Sequence, residues 1–397
     1  MARSALFILL AAAALAPMTA CSTEVDGESP AEETEDELNT KKALFSNDVS
    51  ILFSLPKGRD KDLLLSSTSS GDKGELLPKA TFDKLPPLAP GGAAREDMRV
   101  VALRIDPCFA GIGVEDAACK NQLRVVLQPM SFEADDESSS AKDAAVHAFY
   151  SIDRAELGTI AKEILAAKRG ARGSLRTALG VHPLIEQQGL SGTFATDLRA
   201  IVLRHAGKAN LSRVTFMTRE PPRQGQWKFG GFDIAGTRHT KMKIASLGNA
   251  TEQVFSSFMR NGSAEPAVAS PDDMSLFFRA FDAQSAPPEK VAKAYTAALR
   301  ILNPTMHTPD TVDCVSCHTS TSARVFAEKS MNQRPDGNPA NFTSRTNISL
   351  SKSPGSEQPE NLHAFSYLGT QLTVSQRTAN ESAAVVEYVN SKILMQR

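Results

Sequence analysis

Several short stretches of the chain alternate apolar and polar residues, which is the pattern of half-buried β-strands. In the first of them Val49, Ile51, Phe53 and Leu55 lie on one side. Runs rich in β-branched residues predict further strands over residues 99–105, 123–127, 211–217, 227–234 and 238–245. The pattern therefore predicts that β-strands make up much of the body of the protein.

Other stretches repeat apolar residues at the spacing of an α-helix. Asp153 and Glu156 resemble a capping box at the start of one helix, and a second helix is predicted over residues 194–205. Helical runs are also predicted near 251–259 and 272–281. Because strands and helices are mixed without a regular βαβ alternation, residues 46–284 are predicted to form an α+β body, whose role stays open.

The C-terminal part of the chain has a different pattern. Ser285, followed by Pro287 and Pro288, predicts a helix that ends before Pro304. A loop-rich region follows, and a closing helix is predicted from about Asn380, whose side chain would cap it. Residues 285–397 are therefore predicted to be a mainly α, loop-rich domain of their own.

The N-terminus has the features of a bacterial export signal. Residues 1–20 combine Arg3 with an apolar stretch too short to span a bilayer, as in a signal peptide. The ending Met18-Thr19-Ala20-Cys21 resembles the lipobox of bacterial lipoproteins, which implies a lipid anchor on Cys21. Met18 in place of the usual Leu leaves ordinary secretory cleavage as the alternative. The resemblance implies an outer-membrane lipoprotein, on the periplasmic face or at the cell surface.

Charge is distributed unevenly along the chain. Residues 21–45 are predicted to be the lipidated cysteine and a disordered tether, because eight acidic residues and no Lys or Arg lie within 22–40. The whole chain has 44 basic and 45 acidic residues, and Arg3 is the one basic residue before the tether. The folded part is therefore basic by only about six charges, which is too little to indicate a nucleic-acid partner.

The most specific chemical signal is Cys314-Val315-Ser316-Cys317-His318, the C-x-x-C-H attachment signature of c-type haem. One helical turn brings these cysteines and the histidine to one face. Cys314 and Cys317 are therefore predicted to bind one covalent haem c, with His318 as the proximal iron ligand. Zinc binding, a disulfide-closed loop or a redox dithiol are the alternatives. Adjacent Cys317 and His318 chelate one ion awkwardly, and a thioredoxin-like context is absent.

With its flanking helices and loops, the segment 285–397 resembles a class I cytochrome c. The resemblance implies that the first and last helices cross and that a methionine is the sixth iron ligand. Met331 lies closer to the motif than that family's methionine, so His363 is ranked first, Met331 second and His307 third. Arg377 is interpreted as a solvated charge, with a haem propionate as the alternative partner.

The remaining cysteines and histidines are given structural roles. Cys108 and Cys119 flank a loop between two predicted strands, and an oxidising compartment favours a disulfide between them. Four single histidines are each predicted to be surface or hydrogen-bonded core residues: His147, His182, His205 and His239.

Together these features predict a membrane-anchored monohaem c-type cytochrome that carries single electrons to or from a redox partner protein. A carrier is favoured over an enzyme because no persuasive catalytic motif is found. One alternative is a haem enzyme or gas-ligand sensor with an open distal site. Another is a non-catalytic surface lipoprotein with a structural cysteine pair.

Overall fold

The computed structural model describes residues 43–108, 120–132, 138–169, 177–219, 225–257 and 261–395. Cys21, the acidic tether and Cys119 lie outside these ranges, so the signal peptide, the lipid anchor and the tether stay predictions. Within the described ranges, no helix is both long enough and apolar enough to cross a bilayer.

The helices and strands are short and mixed along the chain. The strands are β1 Ser50–Leu52, β2 Ser70–Gly71, β3 Gly74–Glu75, β4 Met98–Asp106, β5 Asn121–Phe132, β6 Ser139–Ala141, β7 Ala144–Ile152, β8 Leu211–Arg219, β9 Gln226–Ala235, β10 Arg238–Lys241, β11 Glu252–Ser256, β12 Ser263–Glu265, β13 Phe365–Leu368 and β14 Gln371–Val374. The α-helices are α1 Ser46–Val49, α2 Lys79–Phe82, α3 Arg154–Ala167, α4 Pro183–Gln188, α5 Thr193–His205, α6 Ala280–Ser285, α7 Pro288–Leu302, α8 Cys314–Ser330 and α9 Gln376–Tyr388. Short 3₁₀ turns cover Gly58–Leu63, Arg95–Asp97, Ser275–Phe278 and Pro354–Glu357, and a π-helical turn, Val389–Leu394, extends α9.

One antiparallel sheet organises the molecule. Its strands lie in the order β1-β4-β5-β7-β8-β9-β11-β12, with β6 added beside β5 and β10 beside β9. Side chains alternate between the two faces of such a sheet, so each central strand contributes side chains to the packing on both faces. The predicted strands at 99–105, 123–127, 211–217 and 227–234 and the predicted helices at 153 and 194–205 are confirmed. Of the other two predicted strands only Ser50–Leu52 and Arg238–Lys241 are strand.

A helical layer covers one face of the sheet. Apolar side chains of β5, β7 and β8 pack there against α3, α4 and α5, among them Val125, Val146, Val214, Leu157, Ile160, Leu184, Phe194 and Leu198. The helix α3 begins as predicted, since Asp153 Oδ1 accepts a hydrogen bond of 2.7 Å from the Glu156 backbone N–H. The core between this layer and the sheet is the largest of the three hydrophobic cores in the described residues.

The C-terminal segment covers the opposite face, and the predicted fold class is wrong here. Residues 285–397 do not form a mainly α, cytochrome c-like domain with its own core. Helices α7 and α8 pack together on β9 and β11 through Val291, Tyr295 and Val315, while the hairpin β13–β14 packs on β5 and β7. The apolar stripes of this segment are real, but α7 and α8 pack on the sheet as well as on each other. The core under the helical layer also includes side chains of α9, namely Val385 and Val386.

Two local predictions are also wrong. Residues 251–259 contain the strand β11 instead of a helix, because β11 pairs with β9 on one side and β12 on the other. The closing helix begins earlier than predicted: Ser375 is its N-cap and Asn380 lies inside it. The Asn380 amide donates to the carbonyl of Leu302, 2.8 Å away, and so ties α9 to the end of α7.

Arg377 is buried instead of solvated, which corrects its sequence-based interpretation. Its Nε donates to Glu381 Oε1 at 2.7 Å, and its two Nη groups donate to the carbonyls of Ile301 and His307 at 2.6 Å each. The side chain thus joins α9 to the end of α7 and to the segment that leads into α8.

We expect Arg377→Ala to destabilise the protein by about 3 kcal/mol, because it removes one of the two arginine partners of the buried Glu381 carboxylate and leaves two carbonyls without their donor. Urea unfolding measures the change. Arg345→Ala, which removes an exposed arginine of the same C-terminal segment, is the control and should change stability by less than about 0.5 kcal/mol. Equal losses in the two variants would contradict the bridging role of Arg377.

Candidate cofactor site

The C-x-x-C-H motif occupies the first turn of α8, and side chains from the sheet hold that turn in place. Asp313 is the N-cap: its Oδ1 accepts hydrogen bonds from the Ser316 backbone N–H at 3.0 Å and from Gln253 Nε2 at 2.9 Å. Gln253 Oε1 in turn accepts from the Val315 N–H at 2.9 Å. Asp313 and Gln253 are fully buried. We call this pair the β11 clamp, because Gln253 belongs to β11.

The predicted site residues Cys314, Cys317 and His318 come together as expected from their helical spacing. All three line one large cavity between α8 and the sheet. Both thiols are free. Burial raises the pKa of both, that of Cys317 to about 11, so they are protonated thiols at neutral pH.

The His318 ring is held in one orientation. Its Nδ1 lies 2.6 Å from the carbonyl of Leu362, an acceptor, so Nδ1 carries the proton and Nε2 keeps a free lone pair. The ring also packs against Phe229 of β9, with 5.0 Å between centroids. Burial lowers the pKa of His318 to about 4, which keeps the imidazole neutral. A histidine that donates through one nitrogen to a carbonyl and presents the other as a ligand is the usual arrangement at metal centres.

The cavity has a volume of about 890 Å³, which is in the range of pockets that enclose organic ligands. The lining as a whole is mainly apolar and includes Phe149, Met217 and Phe229 on the sheet side. Two of the exposed lining residues, Arg238 and Asp310, show that the cavity reaches the protein surface near the end of β9 and the segment before α8.

Two buried arginines, Arg104 and Arg124, face each other across β4 and β5 at the inner end of the cavity. Carboxylates balance them: Arg104 Nη2 lies 2.8 Å from Glu381 Oε2, and Arg124 Nε lies 2.6 Å from Asp106 Oδ2. Arg104 Nε is buried without a hydrogen-bond partner. The inner end can therefore accept a further anionic group.

Glu381 is ionised because of these arginines. Burial by itself raises the pKa of a carboxyl, but the opposing attraction of Arg377, Arg104 and Arg124 is larger and leaves the pKa of Glu381 well below its usual range. The carboxylate thus binds two arginines at once, Arg377 on its own helix and Arg104 on β4, and the second of these contacts joins α9 to the sheet.

The three candidates for a sixth iron ligand lie in different surroundings. His363 lines the cavity, but its Nε2 lies 3.1 Å from Asp143 Oδ1 and its Nδ1 lies 2.9 Å from the Ser366 hydroxyl. His307 also lines it and is bonded to Asp272 and Thr311. Met331 ends α8, about 20 Å along the helix axis from His318, and does not line the cavity.

The disulfide and the single histidines were also assigned roles from the sequence. Cys108 is disulfide-bonded, while its predicted partner Cys119 lies outside the described residues. Three of the single histidines are hydrogen-bonded as predicted: His182 to Asp48, His205 to Glu156 and Glu163, and His239 to Thr81.

His147 differs from these three, since its ring has no hydrogen-bond partner among the described residues and lines the cavity. Burial first, and then Arg124 and His318, keep the pKa of His147 well below its usual range. Sequence reasoning missed His147, Arg104 and Arg124 as site residues. The sequence signal that could have found them is a polar residue within a predicted strand whose other residues are mostly apolar.

We expect Asp313→Ala to cost more stability than an ordinary N-cap loss. An N-cap carboxylate contributes about 1 kcal/mol. Here the change also takes from the buried Gln253 amide its acceptor at 2.9 Å and leaves it only the Pro266 carbonyl at 3.3 Å, so the expected loss is about 2–3 kcal/mol. Asp153→Ala is the matched control, because Asp153 makes the same cap bond on the exposed end of α3. Chemical denaturation compares them, and equal losses would contradict the β11 clamp.

We expect Glu381→Gln to be less stable than the parent protein at pH 7, with a difference that shrinks as the pH falls below about 4.3, the ordinary pKa of a glutamate. Below this pH the unfolded parent takes up a proton on Glu381, whereas the folded parent keeps the carboxylate ionised. Protonation therefore favours the unfolded state, and the stability that the Glu381 carboxylate contributes is lost in acid. Urea unfolding from pH 7 to pH 3 tests it. A difference that stays constant over this range would contradict the ionised carboxylate.

Comparison with known proteins identified no relative of this chain. No family model matches the chain, no curated protein matches it, and no solved structure matches it. What can be said about the site therefore comes from its own residues: two free thiols and one oriented imidazole on the first turn of a helix, facing a large cavity.

Proposed function

We propose that this chain is a c-type haem protein whose haem is bound covalently in the cavity between α8 and the sheet, and that it carries single electrons. The observation that carries the proposal is the joint placement of Cys314, Cys317 and His318 on that cavity. The proposal does not depend on a cytochrome c fold, which residues 285–395 do not form.

The three residues suit their proposed roles chemically. Each thiol would add its S–H bond across one vinyl double bond of the porphyrin, which forms a thioether and needs no oxidant. Protonated thiols held by burial agree with this role better than with a redox dithiol, which requires a thiolate. His318 presents a neutral Nε2, the form of histidine that binds a metal.

The cavity also suits the other parts of the group. Its apolar walls match the porphyrin ring, and the buried Arg104 and Arg124 could pair with propionate carboxylates. Zinc is less well supported, since within the described ranges no cluster of at least three His, Cys, Asp or Glu side chains could hold a metal ion. One iron porphyrin needs only one or two ligands from the protein.

When bound, the haem supplies a one-electron iron couple. Cys314 and Cys317 would attach it, His318 would bind its iron, and the cavity would give it a largely apolar enclosure. Its opening near Arg238 and Asp310 would leave an edge of the group close to the surface, where a redox partner protein could approach. The proposed setting is the outer membrane, with the chain anchored through lipid on Cys21.

A second candidate function is a haem enzyme or gas-ligand sensor. It is favoured by the size of the cavity and by the polar side chains of Arg124 and His147 on its sheet wall. A small molecule could bind to iron if no protein side chain occupies the sixth position. Binding of carbon monoxide by the ferrous protein separates this candidate from a carrier.

We expect the full-length protein, matured together with the cytochrome c assembly machinery, to give a pyridine haemochrome spectrum of one c-type haem per chain. The haem should remain attached on a denaturing gel and should cycle reversibly between ferric and ferrous states. Cys314→Ser with Cys317→Ser should lose the covalent attachment, because no thiol remains to form a thioether.

Met331→Leu is the matched control, since Met331 ends the same helix away from the cavity. It should keep the haem and leave the spectrum unchanged. Wild-type protein that matures without covalent haem, under conditions in which a known cytochrome c is loaded, would overturn the proposal.

A further inference from the structure

We propose that His147 of β7 is the sixth ligand of the haem iron, in the place that sequence reasoning gave first to His363. This inference rests on the proposed function and names a residue of the same site. It follows from which imidazoles line the cavity and which of them are already hydrogen-bonded.

Four histidines line the cavity, and their hydrogen bonds distinguish them. His318 uses Nδ1 on the Leu362 carbonyl and presents Nε2. His363 and His307 each have both ring nitrogens in hydrogen bonds, to Asp143 and Ser366 and to Asp272 and Thr311 respectively. Besides His318, His147 is thus the lining histidine that can offer a lone pair without breaking a bond.

The position of His147 is well defined by the sheet. It lies inside β7, where it stands directly opposite Val126 of β5 and Thr215 of β8. Strands on both sides fix the backbone, and sites built on such strands are more precise than sites on loops. His147 belongs to the sheet wall of the cavity, whereas His318 belongs to the helix that covers the sheet.

The two histidines line the same cavity, one from the sheet and one from the helix that covers it, so both would face a haem held between them. Freeing His363 instead would leave the Asp143 carboxylate without this partner, although Asp143 also accepts a hydrogen bond from Trp227 Nε1 at 3.1 Å. A buried polar group that loses a partner costs about 1–3 kcal/mol. Binding of iron by His147 would break no hydrogen bond and so would not have this cost.

Two methionines are the remaining competitors, because Met217 and Met242 also line the cavity. Met217 packs in the core formed by Trp227, Phe229 and α7, where it already fills apolar space. The potential distinguishes the two ligand types: a second histidine gives a lower reduction potential than methionine does.

The test compares absorption and electron paramagnetic resonance spectra of the matured, full-length protein and its His147→Leu variant. We expect the parent to be low-spin in both oxidation states and slow to bind carbon monoxide. His147→Leu should keep the covalent haem, become high-spin and bind carbon monoxide readily. Added imidazole should restore the low-spin spectrum, which a merely structural role of His147 would not explain.

Two further variants make the result specific. His147→Met should stay low-spin with a higher reduction potential than the parent. His363→Gln can still form hydrogen bonds with Asp143 and Ser366 and should leave the spin state unchanged.

A high-spin parent, or a His147→Leu variant that stays low-spin, would overturn the assignment while the covalent haem remains. Loss of the low-spin signal in His363→Gln, or in Met217→Leu or Met242→Leu, would assign the ligand elsewhere. Absence of covalent haem from the parent protein would instead overturn the proposed function, so the two failures are distinguishable.

Discussion

The β11 clamp is the contact on which the arrangement of the site depends. A helix begins with unpaired backbone N–H groups, and at the start of α8 the Asp313 carboxylate and the Gln253 amide satisfy them in a buried setting. Because Gln253 belongs to the sheet, the same hydrogen bonds that begin the helix also fix its position on β11. The side chains of the first turn, Cys314, Cys317 and His318, are consequently directed into the cavity and not toward solvent.

A second requirement is that charge be balanced at the inner end of the cavity. Arg104 and Arg124 stand directly opposite each other on neighbouring strands, a pairing that is unfavourable without compensation. Glu381 and Asp106 supply it, and Glu381 also binds Arg377. The C-terminal helix α9 is thus part of the wall of the site, and its removal would take from Arg104 its nearest carboxylate and leave it with Asp106 at 3.6 Å.

Sequence patterns predicted local structure better than the way the pieces combine. Runs of β-branched residues predicted β4, β5, β8 and β9, and the Asp153 cap predicted α3, because these signals depend on neighbouring residues. The same reasoning placed residues 285–397 in a separate helical domain, since an apolar helix face does not indicate what it packs against. Spacing was sufficient to bring Cys314, Cys317 and His318 together, whereas His147 and Arg104 join them only through sheet register and long-range packing.

The order of these elements along the chain has a consequence for assembly. Strands β1–β12 all precede the motif, so the surface that receives α8 can be complete when Cys314 and Cys317 are synthesised. The parts that enclose the cavity from the other side, Leu362, the β13–β14 hairpin and α9, are synthesised last. A chain that folds from its N-terminus would therefore place the two thiols on the sheet before the last side of the cavity is covered, which would leave room for a planar group to enter.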